Sequence, residues 1–332
     1  MYQKIKKTLD FDFKKQEKKI LLIFTLGLLF YAALVLFGDT KKIISISFSF
    51  KWNVVILLLL LSLFNYLVRF VRWHYFLHQI SIKIPFANSL RIFLAGLSMT
   101  VTPGKMGEVV KAYLIKKETG NKFAQMIPLL ITERLTDGIG MLLLALGGIY
   151  LFRQSAIFFL FSLSIVLCFF LFVYYKRHTL KLIRKLEDKI GHIKALDFFL
   201  TFFENSEKLL RSKQLTIGIL LSIIAWSFEG ISLFLLINNF GSFWRWSSFF
   251  YALFIFSFSS IAGFLVLIPG GIGVAEGSIT SLLTLFFQIG LPQAIFITLI
   301  FRFVTLWFGV LLGLANLLLS FSKLRLSEEE GR

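Results

Sequence analysis

One cysteine in 332 residues excludes an intrachain disulfide and a thiolate metal cluster. That residue, Cys168, lies inside an apolar run. Histidine is nearly as scarce, with four. His74 and His78 stand four apart, as helical metal ligands can. Tyr75 takes the place of the Glu in H-E-x-x-H, so the pair reads as interfacial histidines. Charge is thin: 16% of residues are charged, against about 25% in soluble domains. Carboxylates are the scarcer sign, 18 against 36 Lys and Arg, for a formal net charge of +18. No zinc finger, basic zipper or RNA-binding motif accompanies that charge, so it does not point to nucleic acid. Nucleotide loops are missing too. In "GGIGVAEG" Glu276 falls where G-x-G-x-x-G needs its last Gly, and no Gly-Lys-Ser/Thr follows a break. The basic tail and first apolar run (Ile20–Phe37) lack a small-x-small cleavage pattern, so the run reads as a retained span.

What remains is apolar. Hydrophobic residues make up 57% of the chain, 41 of the residues are Phe, and mean hydropathy is +0.80. Several stretches reach the roughly 20 residues that cross a bilayer. The expected class is an all-α polytopic helical membrane protein. Its spans fall at about 20–38, 54–77, 124–152, 155–175, 214–238 and 292–320, with proline-broken segments at 86–118 and 247–290.

Charge orients the spans. The tail 1–19 holds seven Lys, 176–213 ten Lys and Arg, and 105–122 five Lys, while 39–52 holds three and 239–247 one. Rich loops belong in the cytoplasm. Both termini are then cytoplasmic, in a cell (plasma) membrane. Each half has three crossings and one broken hairpin, and because three is odd the second half is inverted. Local alignment agrees. Pro103 to Pro269 is a shift of 166 and Arg134 to Arg302 a shift of 168. The expected architecture is a basic tail 1–19, repeat 1 over 20–152, repeat 2 over 153–320, and a tail 321–332. Repeat 2 includes an amphipathic interfacial linker at 176–213. Each repeat carries a re-entrant hairpin; eight full spans are the alternative. Inverted repeats with broken helices are common in transporters, with the site where the breaks meet.

The breaks carry candidate chemistry. They read "TPGKMGE" and "IPGGIGVAE", with Pro103, Gly104, Lys105, Gly107 and Glu108 in one and Pro269, Gly270, Gly271, Gly273 and Glu276 in the other. A helix restarting after Pro-Gly presents free N–H groups and the positive end of its dipole, an anion site. Lys105 strengthens the first tip. Gly271, which stands in its place in the second, is expected to tolerate Ala. Glu108 and Glu276 suit the first turns after the breaks.

Charges near membrane depth each cost about 2.5–3.5 kcal/mol at a helix centre, so they pair or face water. They are Arg69, Arg72, Arg91, Glu108, Glu133, Arg134, Asp137, Glu229, Glu276 and Arg302. Arg134 and Arg302 lie ten residues into their spans from opposite faces, about 15 Å deep, near the middle of the bilayer. Glu133 and Asp137 share a helix face. These residues read as a cavity lining; a purely structural salt-bridge network is the competing reading. Arg72, near the end of its span, is expected to snorkel to the interface. Glu108, Glu276 and Asp137 are candidates for a coupling proton.

"RW" at 72–73, "TPGKMGEVVKAYLI" at 102–115, "ERLTDGIGMLLL" at 133–144 and "IPGGIGVAEG" at 268–277 together resemble the lysylphosphatidylglycerol synthase transmembrane-region family. The resemblance covers about residues 20–320. It implies a flippase-like, lipid-handling membrane domain. The chain resembles stand-alone members, with no room after it for an aminoacyl-transferase domain. Phospholipids and polyprenyl-phosphate lipids are both implied substrates. The expected function is therefore movement of an anionic or phosphate-bearing membrane lipid between leaflets, with no cofactor. The alternatives are a membrane enzyme acting on a lipid-linked phosphate and a scaffold for envelope synthesis. No catalytic or metal-ligating residue is assigned.

The orientation is testable. With Cys168 replaced by Ser, a cysteine placed at Asn121 is expected to be shielded from an impermeant thiol reagent in intact cells, and one at Ser242 to react. Labelling at Asn121 from outside would refute the cytoplasmic return of the first broken segment.

Overall fold

A computed structural model of the chain describes residues 31–33, 35–36, 38–102, 106–121, 125–151, single positions between 157 and 175, 194–241, 243–266 and 269–329. The protein is a multi-pass helical membrane protein, with eleven helices delimited among these residues. They are α1 (Thr40–Ser49), α2 (Asn53–Gln79), α3 (Phe86–Ser98), α4 (Met106–Thr119), α5 (Met126–Leu151) and α6 (Lys194–Leu209). The rest are α7 (Ser212–Asn238), α8 (Trp246–Leu265), α9 (Val274–Phe287), α10 (Leu291–Arg302) and α11 (Phe308–Glu329). The expected tail 1–19, most of spans 20–38 and 155–175, and the linker segment 176–193 lie outside the described residues.

Four helical runs are long and apolar enough to cross a membrane: α2 and α7 with 27 residues each, α8 with 20, and Leu291–Leu319 with 29. At about 1.5 Å per residue each reaches or exceeds a hydrocarbon core of about 30 Å. The faces of α2 show what solvent it was built for. Leu57, Leu60, Leu63, Leu67 and Val71 are exposed, whereas Ser62, Asn65, Tyr66 and Arg72 are buried. Apolar outside and polar inside suits lipid, where helix association relies on close packing and hydrogen bonds. Asn65 Nδ2 accordingly donates to the Ala225 carbonyl of α7 at 2.7 Å.

Helix directions follow from the contacts. α2 and α7 are antiparallel: Lys51 meets Asn239 at one end and Gln79 meets Gln214 at the other. α5 and α7 are parallel, with Thr136 beside Gly218 and Gly140 beside Ser222. α3 and α4 form one hairpin, closed by an Asn88–Glu118 hydrogen bond. α8 and α9 form the other, with Tyr251 stacked on Phe286 at 4.5 Å. The packing is reciprocal. α5 packs along α8, and α11 packs along α3, where Asn316 Nδ2 donates to Arg91 O at 3.0 Å.

The second break has a geometric cause. Gly270, Gly271 and Gly273 have φ of 61°, 67° and 94°, a region glycine enters freely. Gly271 also faces Gly263 of α8 so closely that an added Cβ would lie 3.2 Å from its Cα. Gly271 is therefore not the Ala-tolerant position the sequence suggested. Between α10 and α11 the helix widens into a π turn, Phe303–Trp307. Tyr66 of α2 donates its hydroxyl to the Thr305 carbonyl there at 2.5 Å.

One further expectation is corrected. Residues 39–52 were read as a loop, but Thr40–Ser49 is a helix, with the Asp39 side chain capping it by accepting from the Lys42 N–H at 3.4 Å.

Close backbone approach makes a prediction. A Cβ at Gly313 of α11 would lie 2.4 Å from the Ser98 nitrogen of α3. Gly313→Ala is expected to cost about 1–3 kcal/mol, read as a lower thermal midpoint in detergent. An unchanged midpoint would show that α3 and α11 are not locked at this crossing.

Candidate functional site

Four helices bring a buried charge network together. Arg72 on α2 is 1% exposed. Its Nη1 donates to Asp137 Oδ1 of α5 at 2.6 Å and to Ser222 Oγ of α7, and its Nη2 lies 3.9 Å from Glu133. Asp137 also accepts from Trp226 Nε1 of α7 at 2.8 Å and sits 3.4 Å from Arg134 Nη1. Glu133 accepts from Lys111 Nζ of α4 at 2.9 Å. Lys111 lies over the Trp73 ring at 4.2 Å, a cation–π contact. Helical spacing explains the division of labour. Glu133 and Asp137 are one turn apart on the inner face of α5, and Arg134 is turned toward a cavity.

A second cluster closes the Gly-rich break. Glu276, in the first turn of α9, is fully buried and accepts the Gly273 N–H at 2.7 Å. The same carboxylate accepts from Arg302 Nε at 2.6 Å and from Tyr31 OH at 2.8 Å. Arg302 Nη2 donates to the Gly270 carbonyl at 2.6 Å. Arg302 thus fastens the break to the α10–π junction and reaches the cavity as well. It ends a 12-residue helix, about 18 Å from that helix's start and so well inside the bilayer.

Between the two clusters lies a cavity of about 210 Å³. That is room for several waters. Arg69, Arg134 and Arg302 line it, with Asp137, Glu229, Trp226, Gly270 and Gly271. Arg69 lies over the Trp226 ring at 4.8 Å, and its buried Nε has no hydrogen-bond partner among the described residues. Such a wall suits an anion. Guanidinium groups grip phosphate in pairs of parallel hydrogen bonds and are less strongly hydrated than ammonium groups.

The chain matches the lysylphosphatidylglycerol synthase transmembrane region over residues 24–313. It belongs to that family. It is also similar to a UPF0104 membrane protein of Methanothermobacter thermautotrophicus, 26% identical over 87% of this chain and 90% of the relative. A UPF0104 membrane protein of Pyrococcus horikoshii is 25% identical over 89% of this chain and 95% of its own length. The family match contains both broken hairpins and every cavity residue named above.

Of the residues singled out from sequence, Arg134, Asp137, Gly270, Gly271 and Arg302 come together around the cavity. Pro269 opens the 3₁₀ turn that carries Gly270, and Gly273 caps α9. Glu133 and Glu276 sit one layer back, each answered by a cation. Gly107 and Glu108 belong to α4, while Pro103, Gly104 and Lys105 lie outside the described residues. Arg72 does not snorkel, because Asp137 and Ser222 hold it inside. Lys111, counted with the loop charges, is 4% exposed beneath Trp73. The sequence marked Arg69 and Glu229 as deep charges without giving them roles, and Trp226 and Tyr31 carried no mark. His74 and His78 do meet, with Nε2 atoms 3.3 Å apart, but no third metal ligand joins them among the described residues.

Asp137 is the network's shared acceptor, and its loss would leave Arg72 buried beside no near carboxylate but Glu133. Asp137→Asn is expected to cost about 3–5 kcal/mol, seen as low yield and a lower melting point. A variant as stable as the parent would mean that water reaches Arg72.

Proposed function

We propose that the protein moves a phosphate-bearing membrane lipid between leaflets, through the cavity bounded by Arg69, Arg134 and Arg302. The observation that carries this reading is three arginines lining one cavity of about 210 Å³ between membrane helices. An interior charge needs an answer. Asp137 and Glu276 answer Arg134 and Arg302 only in part, since both guanidiniums also face the space. A headgroup phosphate would complete their hydrogen bonds while its tails remained in lipid. The phosphate could belong to a phospholipid or to a polyprenyl-phosphate lipid.

The movement would use two inverted halves. In this reading 20–152 and 153–320 are repeats, represented among the described helices by α2–α5 and α7–α11, with α3–α4 and α8–α9 as re-entrant hairpins in a cell membrane and both termini cytoplasmic. Antiparallel α2 and α7 support it, as do the reciprocal α5–α8 and α11–α3 contacts. The role of the second tip differs from the one read in the sequence. The Gly273 N–H is taken by Glu276 and the Gly270 carbonyl by Arg302. The arginines, rather than bare N–H groups, are the phosphate donors there.

Purified protein in vesicles of phosphatidylcholine with fluorescent phosphatidylglycerol provides the test, with dithionite quenching to read leaflet exchange. Arg134→Gln and Arg302→Gln are each expected to slow exchange about 10- to 100-fold, the loss of one charge-assisted contact; Arg302→Gln is also expected to lower the melting temperature, because buried Glu276 loses its cation. Wild-type rates in both folded variants would remove the cavity from the path.

A further inference from the structure

Four carboxylates of α5, α7 and α9 are buried in the interior, and three are answered at close range. Glu133 has Lys111 at 2.9 Å, Asp137 has Arg72 and Trp226, and Glu276 has Arg302, Tyr31 and the Gly273 N–H. Glu229 differs. It is 7% exposed and lines the cavity, yet it has no hydrogen bond and no ion pair within 4 Å among the described residues. The cavity is the place its carboxyl group is offered to. A lone carboxylate at membrane depth is costly when charged, so it is kept either neutral or balanced at a distance.

The groups that face it define what balances it. α2 presents Arg69, with Tyr66 beyond it; α5 presents Asp137 and Arg134; the end of α10 presents Arg302. From α8 the cavity receives no titratable group among the described residues. Among the described residues Arg69 has no carboxylate partner within ion-pair distance, and Arg302 is already shared with Glu276. Without a headgroup, Glu229 and Arg69 face the same cavity. An arriving phosphate competes for the same arginine and is repelled by the same carboxylate. A proton on Glu229 removes the repulsion and supplies an O–H donor to a phosphate oxygen.

We infer that Glu229 is the proton-carrying group of this cavity, and that one proton accompanies each anionic headgroup through it. This rests on the lipid-moving function proposed above. Protonation and headgroup binding favour each other by the same factor, as linkage requires. When the headgroup leaves, Arg69 again faces the carboxyl group across the cavity and the proton departs to water on that side. A singly charged lipid and one proton together carry no net charge, so a pH difference drives the movement and a membrane potential does not. Asp137 and Glu276 are poorer carriers, because each already accepts hydrogen bonds from a close cation and from a further donor.

The test uses the full-length protein in phosphatidylcholine vesicles containing fluorescent phosphatidylglycerol, with a pH difference imposed across the membrane and the potential clamped. At steady state the probe is expected to accumulate on the alkaline side, about tenfold for each pH unit. Glu229→Asp is expected to retain the accumulation and Glu229→Gln to lose it. As a second measurement, detergent-purified wild type is expected to take up a proton from weakly buffered medium when short-chain phosphatidylglycerol is added, and Glu229→Gln to take up none. Rapid exchange by wild type with equal leaflet distribution under the pH difference would overturn the proton role and leave the lipid-moving function standing. Proton uptake by Glu229→Gln would overturn it as well. No exchange by wild type under any gradient would defeat the lipid-moving function itself, and the proton role with it.

Discussion

A charge inside a membrane has to be answered within the protein, and Asp137 is where that requirement is met for much of this one. Its carboxylate takes Arg72 from α2 and Trp226 from α7, and it lies within 4 Å of Arg134 on its own helix. These contacts tie three helices whose outer faces are greasy and therefore indifferent to one another in lipid. Through Arg72 and Glu133 the tie extends to Lys111 on α4. One hairpin is thereby fastened to the bundle by charge. The other is fastened by Arg302, which grips Glu276 and the Gly270 carbonyl. Both attachments meet the same cavity.

That arrangement separates two kinds of charge. Arg72, Lys111, Glu133 and Glu276 are buried, each within ion-pair distance of an opposite charge, so they hold the scaffold. Arg69, Arg134, Arg302 and Glu229 face open space and have capacity left over. Arg302 belongs to both sets, and it stands at the start of a π turn, a common place for local irregularity near functional sites. A ligand that drew Arg302 away from Gly270 would loosen the break it holds. The positive φ of three glycines lets the break lie close to α8 without a side chain between them.

Much of the scaffold was legible because the bilayer sets the length of an apolar run. Spans read as 54–77, 214–238 and 292–320 correspond to helices Asn53–Gln79, Ser212–Asn238 and Leu291–Leu319. The second Pro-Gly segment was legible as a break because Pro and Gly act locally. Which charges meet was not legible, since that depends on which helices cross. Arg72 stands seven residues before the end of α2 at Gln79, near enough to the interface to suggest snorkelling. Only Asp137 and Ser222, brought by two other helices, turn it inward. Lys111 was hidden by its four lysine neighbours in 105–122, although its place under Trp73 follows a helix that the loop reading did not continue. α1 was missed because "ISISFSF" alternates with a strand-like period. Glu229 looked like one deep carboxylate among several, and its lack of a close partner among the described residues is a property of the packing alone.

The central claim is that the arginine-lined space receives a lipid phosphate inside the membrane. Native mass spectrometry of the protein released from its own membrane tests that claim without assuming the lipid. The wild-type protein should retain a phosphate-bearing lipid that the double variant Arg69→Gln, Arg134→Gln loses, with the Arg302–Glu276 pair left in place. Identical lipids retained in identical proportion by both proteins would contradict it.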